Sequence, residues 1–360
     1  MNKRILFGTW HLSFILRPIG AAVLCFHIAF CSLALAQTDQ LFYESRPAMG
    51  SSFEVYLYAA DRERASELFE AAFDEIERVE QALSNYRSSS ELSRINANAA
   101  DAPVVTDPDV FALLDRAFVY SRESDGAFDV TVGKLMKAWG FFRGAGHYPS
   151  IEELARARAQ TGWQRVRLDK RARSVNFLAR GIELDLGGIG KGYAVDCVAG
   201  VLREAGVTAA LISSGSSSIY AIGAPPGKAG WLVRVSDPLD RTHILSTISL
   251  KDQSLSTSGS YEKFFKLNGR TYCHIMDPRI GRPVEGMLQT SIIAPEATDS
   301  DALSTAVFVM GPERSARLLD NIAGTAAIFV TDRNGVERIV RIHWPNQAAN
   351  APQVFKTESR

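Results

Sequence analysis

The order of apolar and polar positions divides the chain into distinct stretches. Ser52-Phe-Glu-Val-Tyr-Leu-Tyr58 alternates with period two and predicts a strand within residues 41–60. From Arg64 to Leu83, apolar residues recur at Leu68, Ala71/Ala72, Ile76, Val79 and Leu83, the spacing of a helix buried on one face. Asp109 to Ser121 predicts a second helix and Ile151 to Gln160 a third, shorter one. Between the first two, Ser84 to Asp101 is rich in Ser and Asn and reads as a loop. From Val166 to Ile222, strand-length runs are broken by glycines, with one helix at about Gly192 to Ala205. Strands are expected at Trp231–Val235, His243–Leu250, Arg270–Met276 and Gln289–Ala294. A helix over about Asp299–Val309 precedes a closing hairpin made of Ile328–Thr331 and Val336–Ile342. Many strands follow one another as hairpins while helices interleave. That order predicts a mixed α+β fold rather than a regular βαβ repeat.

Both ends read differently. Lys3, Arg4 and Arg17 precede an apolar run from Pro18 that ends in Ala34-Leu-Ala36, followed by polar Gln37-Thr-Asp-Gln40. This is the pattern of a secretory signal, residues 1–36, and it predicts export to the periplasm. The run has about the ~20 residues of a membrane span, so an uncleaved anchor in the inner membrane is the other reading. The small-x-small ending favours cleavage after Ala36. Residues 37–345 are expected to form one domain, and 346–360 a loose tail.

Composition then removes function classes. The chain has 40 basic and 40 acidic residues, and loss of the signal leaves 37 against 40. Such a balance gives no reason to expect a nucleic-acid or polybasic membrane surface. Of four cysteines, Cys25 and Cys31 lie in the signal; Cys197 and Cys273 remain, with no CxxC pair for a metal. One disulfide or two buried thiols fit equally well.

The candidate chemistry begins at Glu183-Leu-Asp-Leu-Gly-Gly-Ile-Gly-Lys-Gly-Tyr-Ala-Val-Asp196. A phosphate loop of the GxxxxGK[ST] type would need glycine where Asp185 stands, and Ser or Thr where Gly192 stands. A dinucleotide fingerprint would place its third small residue at Tyr193, where a ring cannot pack. Two readings survive. Either the loop and the following helix N-terminus cradle an anion with Lys191 beside it, or this is a plain strand–turn–helix corner with Lys191 exposed.

Other stretches extend the pattern. They are Met49-Gly50, Leu83-Ser-Asn-Tyr86 and Gly126-Ala-Phe-Asp-Val-Thr-Val-Gly-Lys-Leu-Met-Lys-Ala-Trp-Gly140. Later come Ser256-Thr-Ser-Gly-Ser-Tyr-Glu-Lys-Phe-Phe265, His274-Ile-Met-Asp-Pro-Arg-Ile-Gly-Arg-Pro283 and Ala297-Thr-Asp-Ser-Asp-Ala-Leu-Ser-Thr-Ala306. With the glycine loop, these resemble in order the motifs of the ApbE family, the bacterial FAD:protein FMN transferases. The resemblance runs from about Tyr43 to Ile339. It implies an enzyme that splits the pyrophosphate of FAD with Mg²⁺, joins FMN to a Thr or Ser hydroxyl of an acceptor protein, and releases AMP. The acceptor would be a redox protein carrying a Ser/Thr-Gly-Ala-Thr type sequence.

The resemblance also implies residue roles. Asp301 and Thr305, four apart on the expected helix and so on one face, match the metal ligands together with Gly188. His274 matches the base that takes the hydroxyl proton. Flavin contacts fall on Met49, Tyr86, Ala127, Phe128, Asp129, Asp185, Lys191 and Ile275, with Asp129 and Asp185 suited to accept from adenine or ribose. Thr298-Asp-Ser-Asp301 taken locally reads instead as a helix cap with an acidic first turn. Two places depart from the pattern. Ser213-Ser-Gly-Ser-Ser-Ser218 stands where an Asn/Gly/Gly/Asp-like turn is usual, and Ser260 stands where an aspartate is common. Two rival functions remain: an FAD pyrophosphatase giving FMN and AMP, which would use the same residues, and a non-enzymatic FAD-binding or delivery protein, against which the Asp301/Thr305 pair and His274 argue.

Overall fold

The computed structural model describes residues 39–345, apart from 145, 216 and 334. The signal segment and the tail lie outside the described residues. The chain opens with a hairpin, β1 (Gln40–Ala48) and β2 (Ser51–Ala59). Its two-residue turn, Met49-Gly50, has positive φ at both positions, 51° and 71°, the geometry that matches the twist of a tight hairpin. Helix α1 (Arg62–Leu83) follows, capped by Asp61, whose carboxylate accepts from the N–H of Arg64 at 2.8 Å. Its Leu68, Ala72, Ile76, Val79 and Leu83 are buried as the spacing requires.

The expected loop over 84–101 contains a helix, α2 (Glu91–Asn98), capped by Ser90. Only Leu92 and Ile95 are buried along it, too few apolar positions to establish a period. β3 (Val104–Val105), α3 (Pro108–Glu123), α4 (Gly133–Ala138) and α5 (Ile151–Ala159) lead to the hairpin β4 (Val166–Asp169) and β5 (Ser174–Phe177). Strands β3, β5 and β4 form a small sheet in that order. Helix α6 (Gly190–Glu204) then starts on the glycine loop.

The second half supplies β6 (Ala209–Ser214), β7 (Ser218–Gly223), β8 (Trp231–Ser236), β9 (Ile244–Leu250) and β10 (Gln253–Gly259). Short strands β11 (Phe264–Leu267), β12 (Arg270–Cys273), β13 (Met276–Asp277) and β14 (Arg282–Pro283) come next. The single strand expected over Arg270–Met276 is thus broken at His274 and Ile275. β15 (Met287–Ala294), α7 (Ala297–Met310), α8 (Pro312–Asp320), β16 (Ala326–Arg333) and β17 (Val336–Ile342) complete the chain.

Eight strands form one sheet in the order β1-β2-β6-β7-β10-β15-β16-β17, antiparallel at every pairing. Both faces of its centre are covered, so its inner strands are apolar on both sides rather than alternating. Ala210 and Ile212 of β6 face the helical core with α1, α6 and α7, while Ala209 and Leu211 face the β8–β9 hairpin around Trp231 and Ile248. The result is a mixed α+β fold, as the order of elements suggested. Strand β10 escaped the hydrophobic reading because its inward positions are serines. Ser254 Oγ donates to the carbonyls of Ala294 and Glu296, both at 2.8 Å, and Ser256 Oγ bonds the hydroxyls of Ser218 (3.0 Å) and Ser300 (2.6 Å). Both cysteines, Cys197 and Cys273, are free.

Helix α7 has no cap of its own; its N-cap residue, Glu296, makes no side-chain cap bond. Asp196 of α6 does this work. Its carboxylate accepts from the N–H of Ala297 (2.8 Å), the N–H of Thr298 (2.7 Å) and the hydroxyl of Thr298 (2.6 Å). Asp196→Ala should therefore lower stability by about 1–2 kcal/mol. Urea denaturation followed by circular dichroism would measure this; an unshifted midpoint would mean that the start of α7 is held by other contacts.

Candidate active site

The glycine loop is held from two sides. The amides of Asn85 and Asn96 both donate to the carbonyl of Leu184 (3.0 and 2.9 Å), and the N–H of Leu184 donates back to Asn96 (2.8 Å). Asp185 Oδ1 accepts from the N–H of Gly187 at 2.8 Å, which closes the turn. Burial pushes the Asp185 carboxyl up, against the Gly187 N–H and the Asn85 amide, which favour the charge.

At the start of α6 the N–H of Gly192 donates to Asp301 Oδ2 at 2.9 Å. Only glycine fits at 192: a Cβ there would lie 2.1 Å from the carbonyl oxygen of Ala297 and 2.7 Å from Cβ of Asp301. Gly188 faces α7 as well, for a Cβ on it would stand 3.3 Å from Thr305 Oγ1 and 3.3 Å from the Phe128 ring. Thr305 thus stands against Gly188, and Asp301 against Gly192, so α7 meets the glycine loop at both residues. Asp301 is buried, and burial raises its pKa, opposed by the charge of Lys191 and the Gly192 N–H. Thr305 Oγ1 lies 3.4 Å from the hydroxyl of Ser258.

The local reading of Thr298–Asp301 as a cap is corrected here. The capping carboxylate is Asp196, and Asp301 stands in the second turn, pointed at α6. Asp299 turns toward α3, paired with Arg116 and accepting from the hydroxyl of Tyr120.

His274 sits in the break between β12 and β13. Its N–H donates to the carbonyl of Lys263 at 2.9 Å, and its ring Nδ1 lies 3.3 Å from the same oxygen. A carbonyl only accepts, so Nδ1 carries the proton and Nε2 keeps its lone pair. Burial, and then the charges of Lys263 and Lys191, hold the imidazole pKa down at about 4. The ring is neutral at ordinary pH. The charge of Lys191 acts on both the His274 imidazole and the Asp301 carboxylate. Asp277 shapes the turn after His274 by taking two bonds from the Arg279 guanidinium, at 2.8 and 2.7 Å.

Among the expected flavin contacts, Ala127, Phe128 and Ile275 are buried. Met49 is partly buried; its N–H donates to Glu80 Oε2 at 2.9 Å, and its Cε would lie 3.8 Å from a Cβ on Gly190. Tyr86 is half exposed and stacks on Phe142, ring centres 4.8 Å apart and planes 6° from parallel. Arg143 lies over both rings at 5.5 Å. Asp129 is spent inside the protein. Its oxygens accept from the N–H and hydroxyl of Thr131 (2.8 and 2.7 Å) and from the N–H of Trp163 (2.8 Å). In this structure it orders the loop around Phe128 rather than presenting a free acceptor. Phe142, Arg143, Lys263 and Asp196 were not singled out from the sequence. Lys263 and Asp196 do lie inside the motifs, and Phe142 stands two residues past the end of one.

Among the described residues no three His, Cys, Asp or Glu side chains cluster as a metal cage. The donors here are one buried carboxylate, a hydroxyl and a glycine backbone. Such hard oxygens fit Mg²⁺, which takes few protein ligands and fills its shell from water and substrate phosphates.

The family model described as the ApbE family matches residues 49–329. An FAD:protein FMN transferase of Treponema pallidum is 35% identical over 278 residues, covering 72% of this chain and 76% of that protein. One from Klebsiella pneumoniae is 33% identical over 305 residues, covering 83% and 92%. Among solved structures, the ApbE protein of Thermotoga maritima superposes with a TM-score of 0.77 at 31% identity, covering 84% of this chain and 97% of that one. The Pseudomonas stutzeri flavinyl transferase ApbE gives 0.75 at 30%, covering 85% and 96%. The fold, the convergence of the motifs and these similarities lead to one conclusion: this chain belongs to the ApbE family.

Proposed function

We propose that the chain transfers the FMN moiety of FAD to a Thr or Ser hydroxyl of an acceptor protein, with Mg²⁺, and releases AMP. One observation carries this reading. At the N-terminus of α6, Thr305 stands against Gly188 and Asp301 accepts from Gly192, and the charge of Lys191 acts on both Asp301 and a neutral His274. Phosphoryl transfer is mostly positioning and charge neutralisation, and these residues supply both. The acceptor hydroxyl binds beside His274, whose Nε2 takes its proton. Oxygen attacks the FMN phosphorus, and the bond to the AMP oxygen breaks. Lys191 and the N–H groups at the start of α6 bear on the pyrophosphate charge. Asp301 and Thr305, with the backbone of Gly188, would hold Mg²⁺, which neutralises phosphate charge when bound. Tyr86 with Phe142 offers a flat face for a ring. The names of the relatives support flavin transfer, and the N-terminal pattern supports a periplasmic enzyme cleaved after Ala36 that acts on an exported redox protein.

The central test mixes the purified chain with FAD, Mg²⁺ and a small domain bearing Ser-Gly-Ala-Thr. Flavin fluorescence on the acceptor in a denaturing gel, lost with EDTA, is expected. AMP and FMN in solution with a dark acceptor would show a hydrolase; FAD bound and unchanged would show a carrier. Asp301→Ala should abolish Mg²⁺-dependent transfer while FAD still binds, and Asp301→Asn should do the same with less disturbance of the Gly192 contact. Full activity in both would remove the metal assignment. His274→Ala should slow transfer on the order of 10²–10⁴-fold with FAD binding kept; joint loss of binding and folding would mark a structural residue.

The pH profile follows from the depressed imidazole. His274 works only when neutral, so kcat/KM should rise with pH through about 4 and stay level across the range near 6.5 where an unperturbed histidine titrates. An acid limb centred near 6.5 would contradict the environment described for this ring.

A further inference from the structure

Overall charge balance hides a local imbalance. Between Arg156 and Arg180 stand eight basic residues and one acid, Asp169. All eight basic side chains are exposed. Lys170 pairs with Asp115 (2.8 Å) and Arg180 with Asp101 (2.6 Å). The other six, Arg156, Arg158, Arg165, Arg167, Arg171 and Arg173, make no ion pair within 4.0 Å among the described residues.

The small sheet explains how they are displayed. Leu168, Val175 and Val104 lie across from one another and are buried or partly buried on the inward face. Alternation then puts Arg167 on the outward face, opposite Asn176. Arg165 extends that row, and its carbonyl accepts from the N–H of Leu178 at 2.8 Å. Arg171 and Arg173 occupy the β4–β5 turn. Leu178, just past β5, and Val105, on β3, are 61% and 62% exposed. Apolar side chains among unpaired arginines form the mixed surface that a protein partner covers, and Arg is enriched in such contacts.

This face also borders a cleft, through Arg158. The cleft, of about 680 Å³, is lined by Arg158 and Trp163 together with Asp129, Pro278 and Arg279. Asp129 orders the loop carrying Phe128, and Pro278 lies in the turn that follows the His274 segment. We infer that the face formed by β4, the β4–β5 turn and the end of α5 docks an acidic surface of the acceptor protein, so that the acceptor hydroxyl is delivered along the cleft toward His274. The inference rests on the transferase reading for the identity of the partner.

The test uses two versions of the carrier domain bearing Ser-Gly-Ala-Thr, one with glutamates on the surface flanking that segment and one with lysines at the same positions. Binding of each to the purified chain is followed by fluorescence anisotropy. The glutamate version should bind on the order of tenfold more tightly, an advantage lost in high salt. R165E/R167E should lose the preference while binding FAD as before, which also reports that it is folded, and R165K/R167K should keep it. Equal binding of the two carriers, or a preference unchanged in R165E/R167E, would overturn the proposal. So would capture of the chain by phosphatidylglycerol vesicles, lost in R165E/R167E, with neither carrier bound; the face would then serve a membrane. Failure of the transferase reading is read separately, as FAD and Mg²⁺ leaving both carriers without flavin whatever their affinity.

Discussion

Two carboxylates tie α6 and α7 together, each at the other's N-terminus. Asp196, in the second turn of α6, accepts from the first N–H groups of α7. Asp301, in the second turn of α7, accepts from the N–H of Gly192 in the first turn of α6. Each negative charge meets the positive end of a helix dipole, worth about 0.3–1 kcal/mol when exposed and up to ~2 kcal/mol when partly buried. The helices come so close that the carbonyl of Ala297 leaves no room for a side chain at 192. Everything proposed for the phosphates depends on this clasp, because it sets Asp301 and Thr305 against the glycine loop.

The other side of α7 rests on hydroxyls. Ser300 meets Ser256 (2.6 Å), Ser304 meets Ser258 (2.8 Å), and Thr290 donates to the carbonyl of Ser304 (2.8 Å). Small side chains let the helix lie close to β10 and β15, and each buried hydroxyl finds a partner as burial demands. The helix is buried on nearly every side and shows little amphipathic pattern. The serine-rich run after β6 belongs to the same seam: the Ser218 hydroxyl reaches both Ser256 and Asp301. Where the family pattern carries charge, this chain carries hydroxyls that bear on the Asp301 carboxylate.

What was legible in the sequence follows from this construction. Helices such as α1 and α3 bury one face, and their period is plain. Strands β8, β9 and β16 were visible as short apolar runs, and β6 lay within the glycine-broken stretch of strand-length runs. Strand β10 was not, since serines fill its inward positions, and α2 was not, with two buried apolar residues. Asp301 and Thr305 were legible as a pair because four residues on a helix share a face. The capping role of Asp196 was not, since its partners lie about a hundred residues away and no local pattern marks them. Asp129 looked like a ligand because a motif contains it; the bonds that occupy it come from Thr131 and from Trp163, which stands 34 positions on. Charge balance over the whole chain likewise concealed the arginines around β4.

The partner of His274 Nδ1 has a further consequence. A carbonyl orients the ring as a carboxylate would, but it does little to stabilise the imidazolium, and two lysine charges oppose that cation. The histidine is thus a weak base with a readily discharged conjugate acid. It cannot strip a hydroxyl in advance of attack; in the proposed reaction the proton can move only as the new phosphorus–oxygen bond makes the hydroxyl acidic. A loose phosphoryl-transfer transition state asks little more of the nucleophile. In the proposed reaction, such a ring would lose the proton it takes readily and return to its neutral form between cycles.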